Sequence, residues 1–223
     1  MEWGLTHFQP PFSIIVFYMS MIEQPPLLYR ALFQGALWRI LSRNEKQVFL
    51  TFDDGPIPEV TPWVLDLLDK YNIKATFFCV GDNVVKYPET YQEILKRGHL
   101  TGNHTFNHLQ GWKTCTKKYI ENVEEAEKLI QSSLFRPPHG HIRFVQLALL
   151  MRKYNVVMWD VVTRDYSKLF NGEQVFDNVK KYTRNGSIIV FHDSLKSKKN
   201  LQYALPRSIE YLLNEGYVFK LIK

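Results

Sequence analysis

Apolar residues in this chain fall into short runs, unbroken or alternating, that are separated by longer stretches with helical periodicity. Runs rich in β-branched and aromatic residues predict strands, and apolar positions three and four residues apart predict helices. The predicted strands cover residues 47–52, 75–80, 99–101, 156–162, 187–191 and 217–222. The predicted helices cover residues 27–41, 59–71, 88–97, 117–130, 144–154, 173–183 and 201–214.

Strands and helices alternate over most of the chain, a pattern typical of βαβ units around a parallel sheet. About seven such units predict an α/β fold with a closed or nearly closed barrel, in which functional residues gather where strands end. A length of 223 residues fits one domain of this kind. We predict a catalytic domain at residues 46–223, an amphipathic helix and linker at 23–45, and an N-terminal extension of undecided status at 1–22.

The predicted extension has an apolar run at residues 12–22, about half as long as a membrane-spanning helix needs to be. Glu2 precedes this run without any Lys or Arg, and no small-residue cleavage site follows, so the segment does not match a signal peptide. We therefore assign no compartment. The cytoplasm is the default, and export is left open.

The composition narrows the range of partners. Hydrophobic residues make up 45% of the chain, enough for a large core and against disorder. The net charge of +6 comes without a block of like charges or a base-reading motif, so nucleic acid is not favoured, and membrane association has no specific support. The two cysteines, Cys79 and Cys115, do not form a disulfide framework, and nothing indicates the oligomeric state.

The first candidate chemistry lies at the end of the strand predicted at residues 47–52, where Asp53, Asp54, Gly55 and Pro56 follow. Charged groups at the edge of a core are costly unless they are paired or bound to a metal. Successive strand residues point to opposite sides, so the two carboxylates are expected to meet different partners. One could bind a cation while the other handles protons. The alternative is an Asp pair that only caps a turn.

A pair of imidazoles provides the second candidate. His104 and His108 are four residues apart, which on a helical turn would place both on one face, close enough to share a metal. Two His and one carboxylate form an open catalytic zinc site, and Asp54 could supply the carboxylate. Because this spacing also arises by chance, the pair alone does not decide the matter.

Three further residues lie at predicted strand ends or in rigid turns. His192 follows a buried strand and has an ordinary pKa near neutrality, which suits a general acid. Asp165 could hold His192 protonated, and Arg136 precedes two prolines in a rigid turn. Taken singly, His192 and Asp165 are more typical of a structural His and a loop Asp, and the alternative for Arg136 is a surface Arg in a turn. Together with the Asp pair and the imidazoles, they form what metal-assisted hydrolysis requires.

Four motifs in chain order carry a family resemblance. They are Thr-Phe-Asp-Asp-Gly-Pro at 51–56, Gly-Asn-His-Thr-Phe-Asn-His at 102–108, Phe-Arg-Pro-Pro-His-Gly at 135–140 and Ile-Ile-Val-Phe-His-Asp at 188–193. From about Lys46 to the C-terminus, the chain resembles the polysaccharide deacetylases. This chitooligosaccharide deacetylase homology domain, or carbohydrate esterase family four, is shared by chitin and peptidoglycan deacetylases.

The resemblance implies a distorted (β/α) barrel with one divalent metal ion, usually zinc, although nitrogen and oxygen ligands also suit cobalt or nickel. By the family pattern, Asp54, His104 and His108 bind the metal. Asp53 is then the general base, and His192 is the general acid.

The same resemblance implies supporting roles around these groups. Arg136 would tether Asp53, Asp165 would tether His192, and the backbone N–H of His139 would help to hold the oxyanion. Val190 and Phe191 could form an apolar wall for the acetyl methyl group, although core packing explains both equally well.

The chain departs from the family pattern in its third and fourth motifs. His139 stands where Tyr is usual, Val162 where Asp is common, and Tyr166 where Trp often stands, at the edge of the substrate-binding region. Asp160 does not replace the missing Asp, because strand residues alternate between faces. These departures concern substrate identity more than the type of reaction.

The resemblance implies a metal-dependent hydrolase that removes N-acetyl groups from amino-sugar glycans, with water at the metal as the nucleophile. The substrate partner would be an N-acetylated glycan of undetermined identity and length. Two alternatives remain open, an O-acetyl esterase acting on acetylated polysaccharide and an inactive glycan-binding homologue.

Overall fold

The structure is a computed structural model, and it describes residues 23–222. Its centre is an eight-stranded parallel sheet in which the strands follow the order β5-β4-β3-β2-β1-β7-β6, and β8 pairs with the start of β1. The strands are β1 Gln47–Asp53, β2 Thr76–Cys79, β3 Leu100–Asn103, β4 Leu134–Phe135, β5 Asn155–Val156, β6 Val161–Val162, β7 Ser187–His192 and β8 Val218–Phe219. The predicted barrel of about seven parallel strands is confirmed.

Helices join most of the consecutive strands. They are α1 Leu27–Leu32, α2 Thr61–Lys70, α3 Gly81–Lys86, α4 Pro88–Lys96, α5 Thr116–Glu127, α6 Phe144–Leu150, α7 Gly172–Tyr182 and α8 Lys198–Asn214, with short 3₁₀ helices at Gly111–Lys113 and Pro138–Gly140. Helix α3 and strand β4 were not predicted, because each is too short to show a periodic pattern. No helix within residues 23–222 is both long and apolar enough to cross a membrane. The predicted extension at 1–22 lies outside the described residues.

The first described helix is shorter than the predicted one at residues 27–41. Helix α1 ends at Leu32, and the chain then turns through Gly35, whose φ is +86°. Leu37 pairs with the segment after β5: its N–H donates to Val156 O at 2.8 Å, and its carbonyl accepts from Met158 N–H at 2.7 Å. These sheet-type bonds replace helical ones, so the segment helps to close the barrel on the β5 side.

The strand predicted at residues 156–162 is instead two short strands with different partners. Strand β5 pairs with β4, whereas β6 pairs with β7 at the other end of the sheet. Between them, the fully buried Asp160 accepts hydrogen bonds from Arg184 and Ser187 and forms an ion pair with Arg30 at 2.6 Å. This network fixes the chain between β5 and β6 and gives Asp160 a structural role.

The alternation of side chains along β1 separates the core from the site. Leu50 and Phe52 pack in the large cluster between the sheet and the helices, while Phe49 belongs to a smaller cluster with Phe78 and Ile188. On the same face of β1 as Phe49 lie Thr51 and then Asp53. The strand therefore carries its first carboxylate into the carboxyl end of the barrel interior.

The strand register brings the functional segments to one rim. Asp53 lies opposite Phe78 of β2 and His192 of β7. Further along the sheet, Asn103 of β3 lies opposite Phe135 of β4. Because these strands are parallel and end at the same level, the residues that follow them meet around one opening.

Candidate active site

The two aspartates at the end of β1 face different surroundings, as their alternation predicts. Asp53 is buried, whereas Asp54 is partly exposed and has a φ of 78°, a left-handed conformation that is uncommon outside glycine. The turn is held by the Asn83 side-chain amide, which donates to Asp54 O at 2.7 Å, and by the Gly55 N–H, which donates to Asp193 Oδ1 at 3.1 Å. A Cβ on Gly55 would lie 2.0 Å from Asp193 Oδ2, so only glycine fits.

The two predicted metal-binding imidazoles lie in a loop after β3. The helical-turn geometry inferred from their spacing is wrong: Thr105 and His108 have φ values of 63° and 54°, which break any helix. Asparagine side chains hold the loop instead. The carbonyl oxygen of Asn103 accepts from Thr105 N–H at 2.9 Å, and that of Asn122 accepts from the N–H groups of residues 106 and 107.

This loop brings the imidazoles to Asp54. Nε2 of His108 lies 3.1 Å from Asp54 Oδ1, and Nε2 of His104 lies 3.7 Å from the same oxygen. One ligand atom from each of the three residues lies within 4.8 Å of the others, the only such group of His, Cys, Asp or Glu in the described chain. The spatial grouping expected from the sequence is therefore present.

The protonation states of this cluster suit a cation. Nδ1 of His104 lies 2.7 Å from the carbonyl oxygen of Arg136, which can only accept, so Nδ1 carries the proton and the Nε2 lone pair faces Asp54. Burial keeps the pKa of His104 well below 6.5. Burial acts to raise the pKa of Asp54, but the hydrogen bond from His108 and the nearby imidazoles outweigh it and hold this pKa below its ordinary value. A neutral imidazole and an ionised carboxylate are metal-binding forms, so these residues fit a divalent ion.

Arg136 is fully buried and lies beside Asp53. Its Nη1 donates to Asp53 Oδ1 at 2.6 Å and to Thr51 Oγ1 at 2.9 Å, while Nη2 donates to Met158 O at 3.0 Å and Nε to Val157 O at 3.2 Å. The surface-Arg alternative is thereby ruled out. Burial raises the pKa of Asp53 above its ordinary value, although the Arg136 charge pulls in the opposite direction.

His192 lines the same cavity as His104 and His108 and forms two hydrogen bonds with Asp165. Its Nδ1 is 2.7 Å from Asp165 Oδ1, and its backbone N–H donates to Asp165 Oδ2 at 2.8 Å. Burial acts to lower the pKa of His192, but the Asp165 carboxylate outweighs it and raises this pKa to about 9. The Tyr166 ring stands edge-on to the imidazole, 4.8 Å between centroids.

These groups open into one cavity of about 370 Å³, which we call the catalytic cavity. It is lined by Asp53, Asp54, His104, His108, Gln110, Lys113, His139, His141, Trp159, Val162, Tyr166, Val190, His192 and Lys196. Val190 thus contributes to the wall. Phe191 points to the other side of β7 and stacks on Phe52 in the main core, 6.3 Å between centroids, so of its two interpretations the structure supports packing.

His139 lies beside the imidazole loop. Its φ of 57° is in the left-handed region, and its ring meets that of His108 edge-on at 4.8 Å. Burial, followed by the charge of His108, lowers its pKa to about 4, so the ring is neutral near pH 7. The His141 ring also lies near the His139 ring, 5.6 Å between centroids, and stacks on the Trp112 ring.

Several supporting residues were not identified from the sequence. Asp193, fully buried, accepts from the Thr61 hydroxyl at 2.6 Å as well as from Gly55, and so joins the end of β7 to the β1 turn. Asn83 and Asn122 support the aspartate turn and the imidazole loop. Asp193 directly follows His192, and that adjacency was its only signal; the asparagines gave none, because their partners are distant in sequence.

The sequence of this chain is similar to those of known deacetylases. The polysaccharide deacetylase family model matches residues 41–157. A peptidoglycan-N-acetylglucosamine deacetylase from Bacillus cereus is 34% identical over 190 residues, which cover 82% of this chain and 88% of that protein. A chitooligosaccharide deacetylase from Rhizobium leguminosarum bv. trifolii is 32% identical over 158 residues, or 67% of this chain and 73% of the relative.

Solved structures of peptidoglycan deacetylases have the same fold as this chain. A peptidoglycan N-acetylglucosamine deacetylase crystallised with an N-oxidanyl-benzamide compound superposes with a TM-score of 0.81 at 30% identity, over 88% of this chain and 94% of that one. The peptidoglycan deacetylase PdaC from Bacillus subtilis gives a TM-score of 0.73 at 32% identity, over 82% of this chain and 90% of the crystallised chain. The full PdaC sequence is longer, and the match covers 37% of it. This chain belongs to the polysaccharide deacetylase family.

Proposed function

We propose that this protein is a metal-dependent hydrolase that removes N-acetyl groups from an amino-sugar glycan. The observation that carries the proposal is one cavity with three adjacent groups. They are an Asp54–His104–His108 cluster within 4.8 Å, a buried Asp53 and an Asp165-bound His192. Membership of a deacetylase family supports it, as do relatives named for peptidoglycan and chitooligosaccharide deacetylation.

Asp54, His104 and His108 would hold the metal. A divalent ion bound there supplies Lewis-acid polarisation of the acetyl carbonyl and makes nearby water more acidic. Zinc suits one carboxylate and two imidazoles with open positions, and cobalt or nickel also accept nitrogen and oxygen ligands. Arg136 contributes indirectly, because its carbonyl fixes the tautomer of His104 and so directs the Nε2 lone pair into the cluster.

Asp53 acts as the general base. Its Oδ1 is bonded to Arg136, which leaves Oδ2 to accept the proton of the attacking water. Burial raises the pKa of Asp53 and so strengthens it as a base, while the Arg136 charge acts in the opposite direction and favours the ionised carboxylate. The ion pair also holds the carboxylate in place, since Arg136 is itself fixed by two backbone carbonyls.

His192 acts as the general acid. Asp165 engages Nδ1, which leaves Nε2–H to protonate the departing amine nitrogen. A pKa of about 9 means that the proton is present at neutral pH. An amide needs this help more than an ester does, because an unprotonated amine is a far poorer leaving group. The protonated imidazole therefore favours N-deacetylation over the O-acetyl esterase alternative.

The remaining wall of the catalytic cavity suits the acetyl group. Val162, Val190 and Trp159 provide apolar surface for its methyl. We assign the backbone N–H of His139 to the oxyanion, which would hold the developing charge by a hydrogen bond.

The test is acetate release from chitooligosaccharides, peptidoglycan fragments and acetylxylan, measured with the metal content of the protein. Wild-type protein should deacetylate an N-acetylated glycan, lose activity on chelation and regain it when the metal is restored. Asp53→Asn should keep the metal and lose about 10²- to 10⁴-fold in kcat, the usual contribution of a general base. Release from acetylxylan alone would favour the esterase, and no release from any substrate by metal-loaded protein would refute the proposal.

A further inference from the structure

The first residues of the described chain lie along the segment that leads to Asp165. Strand β6 is the last strand in the order of the described sheet, so backbone groups on its outer edge have no strand partner. Glu23 covers this edge, because its carbonyl oxygen accepts a hydrogen bond from Val162 N–H at 2.8 Å. Further along, Arg30 forms an ion pair with Asp160. Residues 23–30 therefore contact both β6 and the segment just before it.

The Glu23 side chain makes a second contact, with Arg164. Nη1 of Arg164 donates to Glu23 Oε1 at 2.9 Å, in an ion pair whose side chains are 19% and 17% exposed. A pair this sheltered is screened by salt less than a surface pair. The Arg164 guanidinium also lies over the Phe170 ring, 4.7 Å from its centroid. Both contacts hold the side chain of the residue directly before Asp165.

The backbone at Arg164 needs such support. Its φ of 63° is in the left-handed region, which residues with long side chains seldom adopt. A conformation of this kind persists only where the surrounding contacts hold it. Just before the turn, Thr163 is fixed to β7, because its N–H and its hydroxyl donate to Val190 O at 3.1 Å and 2.8 Å. Just after it, Asp165 bonds both Nδ1 and the backbone N–H of His192.

The carboxylate that holds His192 is therefore fixed from two sides. On the side of α8, the Asn200 side-chain amide donates to Asp165 O at 3.0 Å. On the other side, Glu23 holds the turn at Arg164. Hydrogen bonds weaken steeply as their geometry departs from the optimum, so the two bonds to His192 require an Asp165 that keeps its place. A change at Glu23 would thus alter the position of the proton donor.

We propose that Glu23 is a positioning residue for the general acid His192. It acts through Arg164, which sets the place of Asp165. Glu23 is not among the residues that line the catalytic cavity, and it lies before residue 41, where the match to the family model begins. It is therefore outside the motifs that carry the family resemblance. This inference rests on the proposed deacetylase function, because it concerns the acid of that reaction.

The test begins with Glu23→Gln, which removes the charge but keeps the size of the side chain and the carbonyl that covers β6. Displacing a catalytic group by about 1 Å can lower the rate by about 10²-fold. For a smaller displacement, kcat for an N-acetylated chitooligosaccharide should fall about three- to tenfold, with KM nearly unchanged. Cleavage of 4-nitrophenyl acetate should fall less than about twofold, since its leaving group needs no proton. Partial unfolding would lower both activities equally, so the amide-to-ester ratio reports position.

Two further variants complete the comparison. Arg164→Met should lower the amide-to-ester ratio as Glu23→Gln does, and the double variant should lose no more than either single one, because all three lack the same ion pair. Glu93→Gln is the matched control. Glu93 forms an ion pair with Arg97 at the end of α4, with side chains 36% and 24% exposed, and α4 contributes no residue to the catalytic cavity. Its amide-to-ester ratio should equal that of the wild type.

The pH dependence of glycan deacetylation separates position from charge. By charge alone, Glu23→Gln would lower the pKa of His192 and Arg164→Met would raise it, because one removes an anion and the other a cation. If both variants instead weaken the contact between Asp165 and His192, both should move the alkaline decline of activity to lower pH. The carboxylates that act on His192, which are Asp165, Asp54 and Asp53, are present in both variants.

The outcomes distinguish this inference from the proposed function. A wild-type amide-to-ester ratio in Glu23→Gln, or pH shifts of opposite sign in Glu23→Gln and Arg164→Met, overturns the positioning role and leaves the deacetylase function standing. A ratio lowered as much in Glu93→Gln also overturns it, because the effect would then not depend on the contact with Arg164. Failure of the metal-loaded wild type to release acetate from any glycan overturns the deacetylase function itself, and this inference with it.

Discussion

Replacing Asp165 with Asn should move the alkaline limit of activity. In the native protein the Asp165 carboxylate raises the pKa of His192 to about 9 against the opposing effect of burial. Asparagine keeps the size of the side chain but removes the charge, so burial then lowers the pKa of His192 towards its ordinary value of 6.5, with only Asp54 and Asp53 still acting to raise it. The general acid needs its proton, so activity falls as the pH rises through the pKa of His192.

The size of the effect follows from these two values. At pH 8, a group with a pKa of about 9 is protonated in about nine-tenths of molecules. A group with a pKa of 6.5 is protonated in about 3% of them. Asp165→Asn should therefore lower kcat/KM at pH 8 by up to about 30-fold. The loss should shrink as the pH is lowered towards 6.5, where both proteins keep much of their proton.

The assay is acetate release as a function of pH, from about pH 6 to pH 10, with an NMR titration of the His192 ring. If the variant only displaced the imidazole, activity would fall by the same factor at every pH, and the pH at which activity declines would not change. A shift of this decline to lower pH therefore shows that the pKa of His192 has fallen. An acetate ester with an activated leaving group is the control, because its cleavage needs no proton and should respond much less. An alkaline limb that stays near pH 9 in the variant would refute the reasoning.

Three further variants test other parts of the site. His104→Ala should lose bound metal, measured by elemental analysis, while circular dichroism stays native; full metal content would remove His104 from the ligands. Arg136→Met should lower the free energy of unfolding by about 3–5 kcal/mol, since it strands the buried Asp53 charge; an unchanged denaturation midpoint would mean that Asp53 is otherwise neutralised. Loss of an oxyanion hydrogen-bond donor usually lowers kcat by about 10²- to 10³-fold. Because His139→Tyr keeps the backbone N–H that we assign to the oxyanion, it should lower kcat by less than about tenfold. A loss of about 10²-fold or more would show that the imidazole, and not the backbone N–H, is the donor.

Much of the site could be predicted because strand alternation is local. The opposite directions of Asp53 and Asp54 and the position of His192 at a strand end follow from periodicity within a few residues. Parallel strands then bring such ends together without any further information. The same alternation places Phe191 in the core. Its neighbour His192 points into the cavity, so Phe191 points to the opposite side of β7.

The errors arose where distant contacts decide the local conformation. Residues 156–162 form an apolar run that is typical of one strand, but Asp160 binds Arg30, Arg184 and Ser187, which are 24 or more residues away, and the strand divides there. Likewise, the spacing of His104 and His108 indicates a helical turn, but the Asn103 and Asn122 side chains hold a loop. The imidazoles still lie beside Asp54, but the loop held by Asn103 and Asn122 places them there, and not a helical turn.

The departure at Val162 bears on how His192 is controlled. In the register of β6 and β7, Val162 lies directly opposite Val190, and both line the catalytic cavity. Where the family resemblance leads one to expect a carboxylate, this chain thus has continuous apolar wall. The carboxylate bound to His192 is then Asp165, on the loop that Asn200 fixes to α8. The position of the proton donor therefore depends on this loop, which Asn200 holds against α8.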